Sequence, residues 1–190
     1  MDETTPFVLG IVGSPRRQGN TELLVDEVLQ GAAAAGARVE KVLLDRLKIS
    51  PCTACDACQE TGECVFHDDM DGLLDRMRRA RVWVLGTPVY WWGPSAQFKA
   101  FLDRWYSKVF LPADRELFAG RRVILTIPLG DPDAAVARHT VGMLTDALAY
   151  TRMELFATIV AAGVNDRGEV RRHPDVLAAA RQAGRDSLTR

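Results

Sequence analysis

Two short stretches of this chain carry residue types at spacings that can do chemistry. The first runs from Phe7 to Thr21, F-V-L-G-I-V-G-S-P-R-R-Q-G-N-T, an apolar strand that breaks into a turn with a helix directly behind it. That order aims backbone N–H groups and a helix N-terminus at one point, with short hydroxyls beside them. Arg16 and Arg17 add charge suited to a phosphate. The second stretch is C-x2-C-x2-C-x5-C, formed by Cys52, Cys55, Cys58 and Cys64. Two intervening residues let neighbouring thiolates converge on one centre, which suits an iron–sulfur cluster or another metal. The same thiols can also stand free as redox-active groups, or hold zinc or a disulfide, and the spacing leaves these readings open.

The turn excludes several nucleotide sites. A Walker loop needs G-x-x-x-x-G-K-S/T, whereas five residues separate Gly13 from Gly19 and Asn20 stands where the lysine belongs. Gly10, Gly13 and Gly19 do not fit G-x-G-x-x-G, and a phosphatase-like loop would need a cysteine in the turn. What remains is a cradle for one phosphomonoester, of the kind flavodoxin-type sheets build where the first strand meets the third. The third strand candidate leads into Thr87-Pro88-Val89-Tyr90-Trp91-Trp92-Gly93-Pro94, a proline-stiffened aromatic loop placed to pack on a flat ring. Taken alone these aromatics also fit a hydrophobic plug; the phosphate turn at the matching switch point favours the ring.

These features need elements to hold them. Strands are expected at Phe7–Gly13, Arg38–Leu44, Arg81–Gly86, Arg122–Pro128 and Leu155–Ala162, mostly Val, Ile and Leu-rich without clean alternation, as for strands buried on both faces. Helices are expected at Thr21–Ala35, Asp69–Ala80, Ser95–Ser107, Asp133–Tyr150 and Pro174–Leu188, with Asp131 as a cap and Pro132 in a first turn. Five β/α units in series predict an α/β fold: a doubly wound, five-stranded parallel sheet of order 2-1-3-4-5 with helices on both faces. Residues 1–190 read as a single domain, with residues 45–68 inserted after strand two as an irregular loop holding every cysteine.

Bulk properties narrow the partners. Lys plus Arg number 24 and Asp plus Glu 25, so no net field draws nucleic acid or an anionic membrane, and attraction to anions must be local. No apolar run approaches the roughly 20 residues a spanning helix needs. The acidic start M-D-E-T-T-P leads straight into a strand, and a cytoplasmic protein is expected, where four cysteines favour ligands or reactive thiols over disulfides. His67 reads as a solvated residue beside a helix start, and His139 and His173 as helix-surface residues. Phe98, Phe101, Leu102 and Trp105 form an apolar stripe at helical spacing, the pattern of a core face.

The ordered blocks G-S-P-R-R-Q-G-N-T, P-C-T-A-C-D-A-C-Q-E-T-G-E-C, D-D-M, G-T-P-V-Y-W-W and F-K-A-F-L-D-R-W resemble the NADPH-dependent FMN reductase group of the flavodoxin-like superfamily, and within it the iron–sulfur flavoproteins and their NAD(P)H-dependent oxidoreductase relatives. The resemblance is dense over about residues 7 to 110. It implies that Ser14, Arg16, Gln18, Asn20 and Thr21 surround an FMN phosphate, that Pro88, Val89, Tyr90 and Trp91 line the flavin ring, and that Leu129–Asp131 approach its other side. It implies NAD(P)H as hydride donor and a quinone, free flavin, nitro or azo compound, or redox protein as acceptor. It equally implies an alternative, an electron-transfer protein with a [4Fe–4S] cluster on Cys52, Cys55, Cys58 and Cys64. A homodimer or homotetramer is the implied assembly, with the Phe98–Trp105 stripe as a possible interface. The last cysteine gap differs from the bacterial ferredoxin run, where three residues precede the fourth cysteine and a proline follows.

Overall fold

The computed structural model describes residues 5–110 and 115–189. Five strands, β1 (Phe7–Val12), β2 (Arg38–Leu43), β3 (Val82–Gly86), β4 (Arg122–Pro128) and β5 (Glu154–Ala161), form one parallel sheet in the order β2-β1-β3-β4-β5. The expected sheet is therefore the observed one, with strand ends displaced by one residue at most. β1 and β3 are buried along their whole length and β4 nearly so, which is why they read as unbroken apolar runs. The edge strands β2 and β5 are mostly half-exposed.

Side chains alternate across the sheet and split the core in two. Val8 and Val12 of β1, with Val82 and Val84 of β3, pack under α1 (Asn20–Ala34) and the C-terminal helix Pro174–Asp186. Leu9 and Ile11, with Trp83 and Leu85, face the opposite layer. That layer contains α2 (Ala57–Thr61), α3 (Asp69–Arg79), α4 (Ala96–Asp103) and α5 (Arg138–Tyr150), so the C-terminal helix is α6. α1 and α6 touch backbone to backbone: a Cβ on Gly31 would strike the Arg181 carbonyl, and one on Gly184 the Val28 carbonyl. Phe98, Phe101 and Trp105 are buried and meet edge to face, so these three residues are core and no interface is available to them.

Two expected helices are composite. α4 stops at Asp103 and tightens into a 3-10 turn over Arg104–Lys108, and α5 is preceded by a 3-10 turn at Ala134–Ala137. The cap of that turn is Asp133, whose carboxylate accepts from the Ala135 N–H at 2.9 Å, while Asp131 accepts from the Asp133 N–H at 2.8 Å. Asx side chains at both positions satisfy backbone donors, and local pattern does not say which one begins the helix.

Candidate functional site

The turn after β1 is held mostly by backbone. The Gly13 N–H donates to the Gly86 carbonyl at 2.7 Å, tying the turn to β3. A Cβ on Gly13 would stand 2.7 Å from Phe98 Cβ, so only glycine allows this approach. Ser95 caps α4 and donates its hydroxyl to the Gly13 carbonyl at 2.6 Å. Ser14 is buried, and its Oγ accepts from the Arg16 N–H at 3.2 Å. α1 starts behind Gly19, which has no side chain to cap it, leaving first-turn N–H groups to an external acceptor.

Gln18 sits in the left-handed region, φ +52, with its N–H donating to Glu22 Oε2 at 2.6 Å. Glu22 is itself buried and paired with Lys41 at 2.7 Å; Lys41 also reaches Asp26 at 2.8 Å. Burial raises the Glu22 carboxyl, but hydrogen bonds from Lys41 and the Gln18 amide outweigh it and hold the group below its ordinary range. The carboxylate thus fixes the turn while Lys41 balances its charge.

The far wall is the turn after β5. Asn20 spends its side chain here: Nδ2 donates to the Val164 and Asp166 carbonyls, each at 2.9 Å, and Oδ1 accepts from the Val170 N–H at 3.1 Å. Arg16 donates Nη1 to the Asn165 carbonyl at 3.1 Å. Ser14, Arg16, Asn20, Thr21, Pro88, Val89 and Tyr90 then line one cleft of about 190 Å³, closed by Pro128–Gly130, Val164 and Asn165. Val164 and Asn165 escaped sequence reasoning, although G-V-N-D-R-G beyond the last strand is a turn signal at the same sheet edge.

Gln18 is exposed and bonds Glu22 from the outer side of the turn, and Arg17 joins Arg16 and Arg167 on an open rim. Trp91 is 91% exposed, outside the cleft. Trp91 and Trp92 occupy a tight reversal with φ of +50 and +60, closed by paired hydrogen bonds between Tyr90 and Gly93 of 2.8 and 3.0 Å. Left-handed conformation at two bulky residues costs energy, and such strain clusters at functional sites.

The four cysteines are free and line one small cavity, together with Phe66, Arg104 and Tyr106. The loop is gripped from the 3-10 turn 104–108. Tyr106 Oη donates to Asp56 Oδ1 at 2.8 Å and accepts from Gln59 Nε2 at 2.7 Å, and Lys108 Nζ donates to the Gly62 carbonyl at 2.6 Å. Arg104 is 2% exposed and pairs with Asp68 at 2.7 Å. The Ala54 N–H points at Cys52 Sγ, 3.4 Å away. Burial pushes the Cys58 thiol up, and its cysteine neighbours push the same way. Burial also raises Asp68, but hydrogen bonds from Arg104, Ser50 and Met70 prevail and hold it low. Among the described residues, no three His, Cys, Asp or Glu side chains stand close enough to hold one metal ion. His67 is exposed, 3.7 Å from Asp71.

Comparison with known proteins gives the family and the fold. Residues 6–164 match the family described as NADPH-dependent FMN reductase. An iron–sulfur flavoprotein of Methanocaldococcus jannaschii is 45% identical over 97 residues, covering 51% of this chain and 50% of that protein. An iron–sulfur flavoprotein of Archaeoglobus fulgidus is 35% identical over 125 residues, 66% of this chain and 56% of that protein. The chain thus spans about half the length of the curated relatives it matches. Among solved structures, an NAD(P)H:quinone oxidoreductase from Methanothermobacter marburgensis superposes with a TM-score of 0.76 at 19% identity, covering 96% of each chain, which shows a shared fold.

Proposed function

The chain belongs to the NADPH-dependent FMN reductase family, and from that premise we propose that it binds FMN in the cleft between the turn after β1 and the loop after β3. In this reading it takes hydride from NAD(P)H and passes electrons to a small-molecule acceptor such as a quinone, a free flavin, or a nitro or azo compound. One observation carries the reading: an uncapped helix N-terminus, a buried serine and an arginine converge on the same cleft as Pro88, Val89 and Tyr90.

The residues fit the group. Ser14, Thr21, Arg16 and the first-turn amides of α1 form a donor set for a phosphate dianion, with Gln18 setting the turn and Asn20 bracing its far wall. Pro88, Val89 and Tyr90, extended outward by Trp91, make an apolar wall for a flat ring, with Leu129 and Gly130 opposite. Bound FMN supplies hydride acceptance and one- or two-electron delivery. The side chains contribute binding, orientation and exclusion of water, so no nucleophile or acid–base pair is required of them. Among the described residues no helix is long and apolar enough to cross a membrane. A homo-oligomer that covers the exposed Trp91 and Trp92 completes this reading, and light scattering tests it.

A second reading, an electron-transfer protein with a [4Fe–4S] cluster, draws on the four thiols around one cavity, the Ala54 N–H aimed at a sulfur, and the names of the relatives. A cluster gives each thiolate its own iron, so it does not ask four sulfurs to meet on one ion as zinc does. Anaerobic purification followed by an absorption spectrum with FMN, iron and zinc assays tests both. Stoichiometric FMN with NADPH oxidation and no iron leaves the first reading alone, and iron in the same preparation brings in the second. Colourless protein that takes up no FMN would sink both.

A further inference from the structure

Among the described residues, Arg104 is the one charged residue in the set of largest fully buried side chains. Nη1 donates to the Ser50 carbonyl at 3.0 Å and to Asp68 Oδ2 at 2.7 Å, while Nη2 donates to the Phe66 carbonyl at 3.0 Å. Ser50 lies just before Cys52 and Phe66 just after Cys64, so both ends of the cysteine loop meet on one guanidinium. Of its five N–H groups these bonds use three, and the buried Nε–H is among those left without a partner. Arg104 and Cys64 line the cysteine cavity together, and both also line the adjoining polar groove that holds His67 and Asp71. The guanidinium charge bears on the Cys64 sulfur as well as on Asp68.

A buried donor stays unpaired in a folded protein only where something else fills the vacancy or the structure tolerates the cost. Tyr106, Lys108 and Asp68 each add one contact to the loop, while the Arg104 fork alone joins its two ends, aligned by three carbonyl or carboxylate oxygens. We infer that Arg104 is the positioning residue of the cysteine loop, closing its two ends and holding its guanidinium, with N–H groups to spare, against the Cys64 sulfur that would ligate a cluster. This rests on the iron–sulfur reading above. A charge-assisted bond to a ligating sulfur stabilises the reduced, more negative cluster and so raises its reduction potential. Lysine keeps the charge but cannot reproduce a planar fork that holds Ser50, Phe66 and Asp68 while presenting a further N–H.

The test compares wild type, Arg104→Lys and Arg104→Gln, purified anaerobically and reconstituted with ferrous iron and sulfide. Iron content, EPR-monitored midpoint potential and hydrogen exchange over residues 50–66 are read on each. For R104K the expectation is retained iron, a more negative midpoint, and loop exchange about tenfold faster, with exchange in β1, β3 and β4 unchanged. Wild-type potential and wild-type loop exchange in iron-loaded R104K would overturn the inference. Faster exchange with an unmoved potential would overturn the guanidinium–sulfur contact and reduce Arg104 to a structural clasp. Should wild type take up no iron, the cluster reading fails by itself; loop exchange in R104K then still decides the clasp. R104Q is expected to lose iron, and if it does not fold, R104K carries the decision.

Discussion

The turn after β1 and the cysteine loop both present reactive geometry, but they are held in opposite ways. The turn hangs on backbone bonds to β3 and a helix start, with Ser95, Glu22 and Asn20 adding braces from several directions. The loop has almost no regular backbone pairing and depends on side chains from the 3-10 turn 104–108, above all one buried guanidinium. A site built from backbone spreads its stability over many small contacts. A site clasped by one ion pair concentrates it, and fails when that pair is broken.

The largest expected effect comes from the clasp. Asp68→Ala leaves Arg104 buried without its counter-ion, and urea unfolding should show a loss of about 3 kcal/mol. Hydrogen exchange should locate that loss at residues 50–66 and leave the β1 turn alone; equal loosening of both regions would erase the distinction. Acid sharpens the same contrast. The folded pKa of Asp68 lies below its ordinary 3.8 and that of Glu22 below 4.5, so each contributes stability that is whole above those values. As pH falls through the lowered values, both contributions vanish. The urea midpoint of wild type should therefore fall below about pH 4, and Asp68→Asn should flatten part of that slope. An unchanged slope in D68N would show that the loop's carboxylate is not what titrates.

Next is Gly13→Ala, whose Cβ would press on Phe98 at 2.7 Å and on the Gly86 carbonyl at 3.1 Å. Overpacking there should cost about 1–3 kcal/mol, and fluorescence titration should show weaker FMN binding with the loop's thiol reactivity intact. Arg16→Ala removes a charge-assisted donor from an exposed rim. It should cut the preference for FMN over riboflavin by roughly tenfold, measured as a ratio of dissociation constants. A ratio that does not move would take Arg16 out of the phosphate site. The smallest effect is expected at Trp91→Asn, where asparagine tolerates φ +50 better than tryptophan. Thermal unfolding should show a gain of about 1 kcal/mol with both sites unchanged in stability, while any loss of turnover would assign the indole a role in binding.

How much was legible follows from the same division. The five strands, their order and the turn after β1 could be read because each is a contiguous pattern: apolar runs, a Gly-Ser-Pro break, a helix start. Ser14, Thr21, Pro88 and Val89 lie within those patterns and meet in the cleft as expected. Arg104 lies on a helical segment whose apolar stripe is Phe98, Phe101, Leu102 and Trp105, and nothing local in the sequence marks it as buried. Val164 and Asn165 carry turn chemistry, yet their place opposite Arg16 depends on where β5 ends against β4.

The amino-acid sequence by itself determined the strand order, the glycine-serine turn after β1 and the spacing of the cysteines, since these rest on local propensity and near-neighbour spacing. Only the tertiary structure decided that Asn20 would brace the loop after β5 and that Arg104 would join residues 50 and 66. Both are hydrogen bonds between residues far apart in the chain. Their existence depends on how the layers pack, and that packing is a property of the whole sheet and its helices together.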